Sequence, residues 1–237
     1  MKEIHEELKR FLAQKNYVSP WITSDQPLNS TLASSGSIIT IKKKNYLFLQ
    51  GESNHNIYIV RTGRLRIFYT DSSGAEKCVY IVEKCSMIAD VSSFDSLPNH
   101  ISAYAITDAT LIKIHIQDFL RVINLHPELS LSVIRSLNYK VRLLTSQMEY
   151  SSRSASVRVA ATLIALCARY GVVQPDGSIR ISIRFTHEEM SNLINLNRVT
   201  VSKAFQELVR AKIVTGAGGL VTVLDIERLK RYLDGIN

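Results

Sequence analysis

The chain reads as an α+β protein on three observations. A stretch of alternating residues with glycines at its turns lies at 51–67 in the first half, a heptad-patterned helix lies in the middle, and a capped helical hairpin sits between β-prone segments near the C-terminus. With 237 residues, 46% of them hydrophobic, it can bury one large core or two modest ones, and the polar break Ser151-Ser152-Arg153-Ser154 favours two.

In the first half, Gly51-Glu52 precedes a run from Ile57 to Ile67 in which apolar and polar residues alternate around Gly63. Glycines there suit turns between short strands. In the middle, Ile134, Leu137, Val141, Leu144 and Met148 recur at spacings of 3, 4, 3 and 4, the seam of a left-handed coiled coil. His126-Pro127 marks its start. The seam predicts a homodimer interface made by those five side chains, against the alternative that the stripe packs on its own strands.

The hairpin spans Phe185 to Val214. Thr186-His187-Glu188-Glu189 is a Thr-x-x-Glu capping box, which places a helix start at about Thr186. Met190, Leu193 and Ile194 give that helix one apolar stripe, and Ser191 is small enough for a second helix to cross closely. Asn195, at ease with positive φ, makes the sharp turn, and Asn197 caps the next helix. On the second helix Val201, Phe205 and Leu208 point one way; Arg198, Val199, Ser202, Lys203 and Gln206 fall on the other face.

That free face carries long cations with small residues between them. Cations reach guanine acceptors or phosphates while small side chains let the backbone approach base edges, so a DNA groove is the expected partner. The candidate DNA-binding residues are Asn197, Arg198, Val199, Thr200, Ser202, Lys203 and Gln206. Ser178 to Arg184 alternates after an Asp176-Gly177 turn signal and predicts a strand before the hairpin. Thr215 to Gly219 predicts a flexible turn into the strand Leu220-Val221-Thr222-Val223, and Asp225 caps a last helix through Ile226, Leu229 and Leu233. Together these make a winged helix-turn-helix.

Composition agrees. A net charge of +8 and a pI near 9.4 favour a polyanionic partner. Met1 to Phe11 is a charged amphipathic run rather than a signal peptide, and no apolar stretch approaches membrane-spanning length, so a cytoplasmic protein with no membrane partner is expected. Three cysteines without paired spacing suit a reducing compartment and offer no metal motif.

The hairpin, the Gly51-Glu52 and Ile57 to Ile67 stretch, and the long helix between them resemble the Crp/Fnr superfamily of bacterial transcription regulators over nearly the whole chain. The resemblance implies an N-terminal β-roll (jelly-roll-like) sensor domain over residues 1–128, a dimerisation helix and hinge over 129–153, and the DNA-binding domain over 154–237. It implies a non-enzyme that binds a pseudo-palindromic operator as a homodimer, answers to a small effector, and works with RNA polymerase.

In the cyclic-AMP-binding members, a Gly-Glu pair and an Arg-Ser pair hold the ribose and the cyclic phosphate. The matching stretch here is Ile88-Ala89-Asp90-Val91 followed by Ile101-Ser102-Ala103, so the glycine is Ala89, the glutamate Asp90 and the arginine Ile101. A buried phosphate would find no fixed counter-charge, which argues against cyclic AMP. A small, largely apolar effector is expected instead, lined by Tyr80, Ala89, Asp90, Val91, Ile101, Ser102 and Tyr104 with Leu144 and Thr145 of the long helix. Val199 stands where most members carry Glu, and Val199-Thr200-Val201-Ser202-Lys203 is similar to regulators of halo-aromatic-respiring anaerobes. An A/T-richer half-site follows, because valine packs on a thymine methyl but accepts nothing from cytosine.

No cofactor is expected. The alternatives are a haem sensor using one of His55, His100 and His115, and a redox sensor pairing Cys78 with Cys85, though buried or incidental cysteines are the plainer reading. Cys167, among Leu163, Ile164 and Leu166, reads as core. Residues 1–50 contain no cysteine, against an N-terminal iron-sulfur cluster. A metal-dependent cupin-like enzyme is the remote alternative, since those histidines are isolated rather than arranged as His-x-His.

Overall fold

A computed structural model describes residues 2–23, 32–217 and 219–234. It divides into two compact units, Pro20–Val141 and Met1–Ser19 with Arg142–Asn237.

The first unit pairs two sheets. One runs β1 (Trp21–Ile22), β6 (Glu76–Val82), β5 (Leu65–Thr70), β8 (Ser102–Ala105), β3 (Tyr46–Phe48); the other runs β2 (Ser37–Ile41), β9 (Ala109–His115), β4 (Asn56–Thr62), β7 (Met87–Ile88). Short helices α2 (Asp90–Asp95) and α3 (Ile116–Leu125) follow β7 and β9, and the long helix α4 (Glu128–Ser151) begins after His126-Pro127. The core gathers Ile57, Ile59, Met87, Ile112, Ile114 and Phe119 with Leu129 and Val133 of α4. Gly63 joins β4 to β5 at φ +87°, and a Cβ there would lie 2.3 Å from the Asp108 carbonyl oxygen. Only glycine fits that turn.

In the second unit, α5 (Ala155–Tyr170) is buried from Val159 to Ala168, Cys167 included. Around it lie α1 (Lys2–Gln14), α6 (His187–Leu193), α7 (Arg198–Arg210), α8 (Ile226–Leu233) and a sheet ordered β10 (Gly171–Val173), β11 (Ile179–Ile181), β13 (Leu220–Val223), β12 (Val214–Ala217). Leu8 and Leu12 of α1 are buried, His5 Nε2 lies 2.9 Å from the Gly171 carbonyl oxygen, and Lys15 pairs with Asp234.

The unit boundary differs from the divisions expected at 128/129 and 153/154. It falls inside α4, between Val141 and Arg142, and the N-terminal helix goes with the second unit. The cause is local. Leu143 is buried, Ser146 Oγ accepts from the Val18 N–H at 3.0 Å, and the Tyr150 hydroxyl donates to the Lys15 carbonyl at 3.0 Å. The Ser151–Ser154 break is therefore a joint between α4 and α5 within one unit, where Ser154 caps α5. Two local expectations also change. The strand expected over 178–184 is confined to Ile179–Ile181, and Thr215, Gly216 and Ala217 are strand rather than turn. Gly216 permits this: a Cβ there would meet the Leu220 carbonyl oxygen at 2.4 Å. Residue 218 of that expected turn lies outside the described residues.

Candidate nucleic-acid interface

The hairpin is closed by its own side chains. Thr186 Oγ1 accepts from the Glu189 N–H at 3.1 Å while Glu189 Oε2 accepts from the Thr186 N–H at 2.7 Å, which satisfies two donors that a helix start leaves open. After Ile194 the chain turns through Asn195 at φ +51°, and Asn197 Oδ1 accepts from the Thr200 N–H at 2.7 Å to open α7. Arg158 on α5 donates to the Ile194 carbonyl and ties the turn down.

On α7, Val201, Ala204, Phe205 and Leu208 are buried, whereas Asn197, Arg198, Val199, Lys203 and Gln206 are exposed and Thr200 and Ser202 are half-buried. Val199 is 64% exposed, a cost in water that nothing inside this unit repays. The face holds two long cations, two amides and two hydroxyls, with the exposed Glu207 at its edge accepting from Ser156 Oγ at 2.8 Å, and so can meet phosphates and base edges together. Beside it, β12 and β13 pair in register from Val214–Val223 to Ala217–Leu220 and form the wing. The Phe185 N–H donates to the Gly219 carbonyl at 2.8 Å, anchoring the wing's tip strand to the start of the hairpin.

The sequence reading missed His187. Its Nδ1 lies 3.0 Å from Ser202 Oγ and its ring packs 4.7 Å from that of Phe205. Burial, with Arg198 nearby, holds its pKa below the ordinary histidine value. Only the crossing of α6 over α7 brings these groups together, so no local spacing announces them.

The expected effector residues are partly brought together. Lys140, which the sequence reading passed over, places Nζ 2.6 Å from each carboxylate oxygen of Asp90, 3.2 Å from the Met87 carbonyl and 5.9 Å from the Tyr80 ring centre. Lys140 is 6% exposed and Asp90 2%. Burial opposes the Lys140 ammonium, but the Tyr80 oxygen and the Asp90 carboxylate beside it outweigh that and raise its pKa. Burial pushes the Tyr80 hydroxyl up as well. Ala89 holds a left-handed φ of +63°, a conformation more natural to glycine.

Tyr104 and Ser102 do not join Tyr80. Tyr80 pairs across the sheet with Ile67, whereas Tyr104 pairs with Arg66 and Ser102 with Phe68, so their side chains leave by the opposite face. A register shift in β6 between Cys78 and Tyr80 hides this phase from the sequence. Tyr104 stacks edge-on with Tyr46 at 5.1 Å, and Ser102 Oγ accepts from the Gln50 N–H at 2.9 Å. Ile101 is buried; Val91, Leu144 and Thr145 are exposed. Asn99, two residues before Ser102's neighbour Ile101, is 2% exposed, and among the described residues its side-chain amide has no hydrogen-bond partner at either atom.

Of the cysteines, Cys78 touches this cluster, its Sγ 3.9 Å from the Tyr80 carbonyl oxygen. Cys78, Cys85 and Cys167 are all buried, and burial pushes the Cys78 and Cys167 thiols up to about 12. The His55 and His115 rings lie 6.4 Å apart. Among the described residues no three His, Cys, Asp or Glu side chains converge as a metal site, and no helix is long and apolar enough to cross a membrane.

A winged hairpin with an exposed stripe of cations and amides, in one chain with a two-sheet β-roll, defines a DNA-binding regulator carrying a sensor-type domain. Residues 38–126 match the cyclic nucleotide-binding domain and residues 157–232 the Crp-like helix-turn-helix domain. The "CRP-like cAMP-activated global transcriptional regulator" of Mycobacterium tuberculosis is 29% identical over 187 residues, which cover 78% of this chain and 83% of that one. The "Global nitrogen regulator" of Synechocystis is 24% identical over 211 residues, 85% and 93% of the two chains. Among solved structures, a CooA mutant from Carboxydothermus hydrogenoformans superimposes with a TM-score of 0.76 at 19% identity, covering 89% of this chain and 92% of that one. CprK complexed with OCPA gives 0.73 at 18% identity, covering 90% and 97%. The chain belongs to the Crp/Fnr superfamily of transcription regulators.

Proposed function

We propose that the chain is a homodimeric, sequence-specific DNA-binding regulator whose DNA affinity is controlled by a small, largely apolar effector other than cyclic AMP, and that RNA polymerase is its partner at promoters. The observation that carries the DNA reading is the exposed stripe of Arg198, Val199, Lys203 and Gln206 over buried Val201, Phe205 and Leu208. Arg198 and Lys203 supply cations to guanine or phosphate, Thr200 and Ser202 place the backbone, and Val199 selects thymine, giving an A/T-richer half-site. Dimerisation rests on the seam. Ile134, Val141, Leu144 and Met148 are exposed, Met148 at 74%, and only Leu137 leans on the roll's core. A dimer would present two α7 helices about 34 Å apart to two half-sites.

Charge disfavours cyclic AMP. Ile101 supplies no cation, and the buried Lys140 is already neutralised by Asp90, so a cyclic phosphate would meet a carboxylate as well as an ammonium. A largely apolar molecule pays less for entering, and its one polar group could share Lys140 with Asp90. Because Val199 to Lys203 is similar to regulators of halo-aromatic-respiring anaerobes, small aromatic compounds head the list of candidates. A thiol-based sensor is not favoured, since Cys78 titrates at about 12 and supplies little thiolate. Binding would shift the population of conformers through α4, whose residues belong to both units.

The test is selection of bound sequences from a random duplex library at stated salt, with and without a panel of small aromatic compounds and with cyclic AMP. Recovery of an inverted repeat, dependent on one aromatic compound, is the expected result. Dependence on cyclic AMP overturns the effector reading, and enrichment of no sequence under any condition overturns the DNA reading.

A further inference from the structure

We propose that His187 sets the hydrogen-bonding polarity of Ser202, so that the base preferred opposite Ser202 changes with pH. The proposal rests on α7 being the helix that reads DNA. Ser202 Oγ lies 3.0 Å from His187 Nδ1, and the ring is pinned against Phe205 at 4.7 Å, so the two groups are held in line rather than meeting by chance.

A hydroxyl has one proton and two lone pairs. In the neutral tautomer with its proton on Nε2, the state this proposal assigns, His187 accepts the Ser202 proton at Nδ1. Ser202 then faces the groove with lone pairs alone and pairs with an amino donor, adenine N6 or cytosine N4. When His187 takes a proton from solvent, Nδ1 becomes a donor to Ser202 Oγ. The Ser202 proton turns outward and pairs with an acceptor, thymine O4 or guanine O6 and N7. A histidine one helix away thus decides which kind of base edge the serine reads.

The surroundings favour the neutral state near pH 7. Arg198 on α7 is the charged group that bears on the ring, and with burial it disfavours the imidazolium. On α6 itself the neighbouring carboxylates are Glu188, exposed, and Glu189, engaged by Thr186. His187 is a positioning residue here, acting through Ser202.

The experiment is library selection by the full-length protein at pH 8.0 and pH 5.5, repeated with His187→Asn and Ser202→Ala. The expected result is a change at one base of each half-site from amino donor to acceptor on acidification, by about fivefold, the discrimination that one base-edge hydrogen bond carries. His187→Asn should abolish the change while an inverted repeat is still recovered, and Ser202→Ala, which removes the reading hydroxyl itself, should abolish the change whatever it costs in affinity. A preference that does not move with pH in the unsubstituted protein overturns the proposal and leaves sequence-specific binding standing. So does a change that persists in Ser202→Ala. Recovery of no sequence at either pH removes the DNA reading and this inference with it.

Discussion

Lys203 and Lys140 carry the same charge in opposite surroundings, and their substitutions should fail in opposite ways. Lys203 is exposed on α7. Lys203→Ala should leave the fold intact and cost about 1–3 kcal/mol of binding at one base position if it contacts a base; a phosphate contact would show instead as a uniform loss with a salt slope shallower by about 1. Titration of operator variants at several salt concentrations separates the two. Lys140→Met strands the Asp90 carboxylate in the interior and should cost about 3–5 kcal/mol in urea unfolding, whereas Lys140→Met with Asp90→Leu should recover much of that. If the single substitution proves neutral, the pair is not holding β7 to α4. Proton linkage differs too. His187 has a depressed folded pKa, so the unfolded chain binds its proton more tightly, and stability falls as pH drops below about 6.5 until the folded imidazole itself protonates. Lys140, with a raised pKa, contributes stability that is complete at neutral pH and lost only as pH climbs past the ordinary lysine range. Urea midpoints for the unsubstituted protein and His187→Asn between pH 7.5 and 5.5 should converge in slope only above 6.5.

Among the elements, α4 makes the sharpest prediction. Its seam is exposed at Ile134, Val141, Leu144 and Met148, and Met148→Lys with Val141→Glu should turn a dimer into a monomer by sedimentation while leaving the helix content unchanged. A dimer that survives both changes is built elsewhere. The elements also divide by how far they could be read in advance. The hairpin was legible because its signals are local: Thr186, Glu189, Asn195 and Asn197 act within one turn of themselves, and the structure places each in its expected role. The effector residues were half legible. Asp90 and Tyr80 meet, but through Lys140, a cation on the polar side of a heptad pattern where a solvated lysine is the usual occupant. Tyr104 was misplaced because the faces of β6 and β8 are related through a register shift, and one residue of slip reverses a side chain. An amphipathic stripe such as Leu8 and Leu12 announces that α1 packs, and says nothing of which unit it packs in.

For the whole molecule, the joining of α1 to the second unit makes that unit discontinuous in sequence, with residues 20–141 inserted between its parts. Deletion of residues 1–19 should therefore lower the thermal stability of the winged hairpin's unit, exposing the surface of α5 that α1 covers, and leave Pro20–Val141 unaffected; differential hydrogen exchange of the deleted and full chains would read this directly. An equal loss in both units, or none in the second, would refute it. The same arrangement orders events on the ribosome. The roll's residues are contiguous and can fold as they emerge, but α1, made before the roll, must wait for α5 and α8 until residues 15–233 are synthesised, roughly 11–44 s at about 5–20 residues per second. During that interval Leu8 and Leu12 have no mate, and the winged unit becomes competent to read DNA only when α8 leaves the tunnel and α1 is finally claimed.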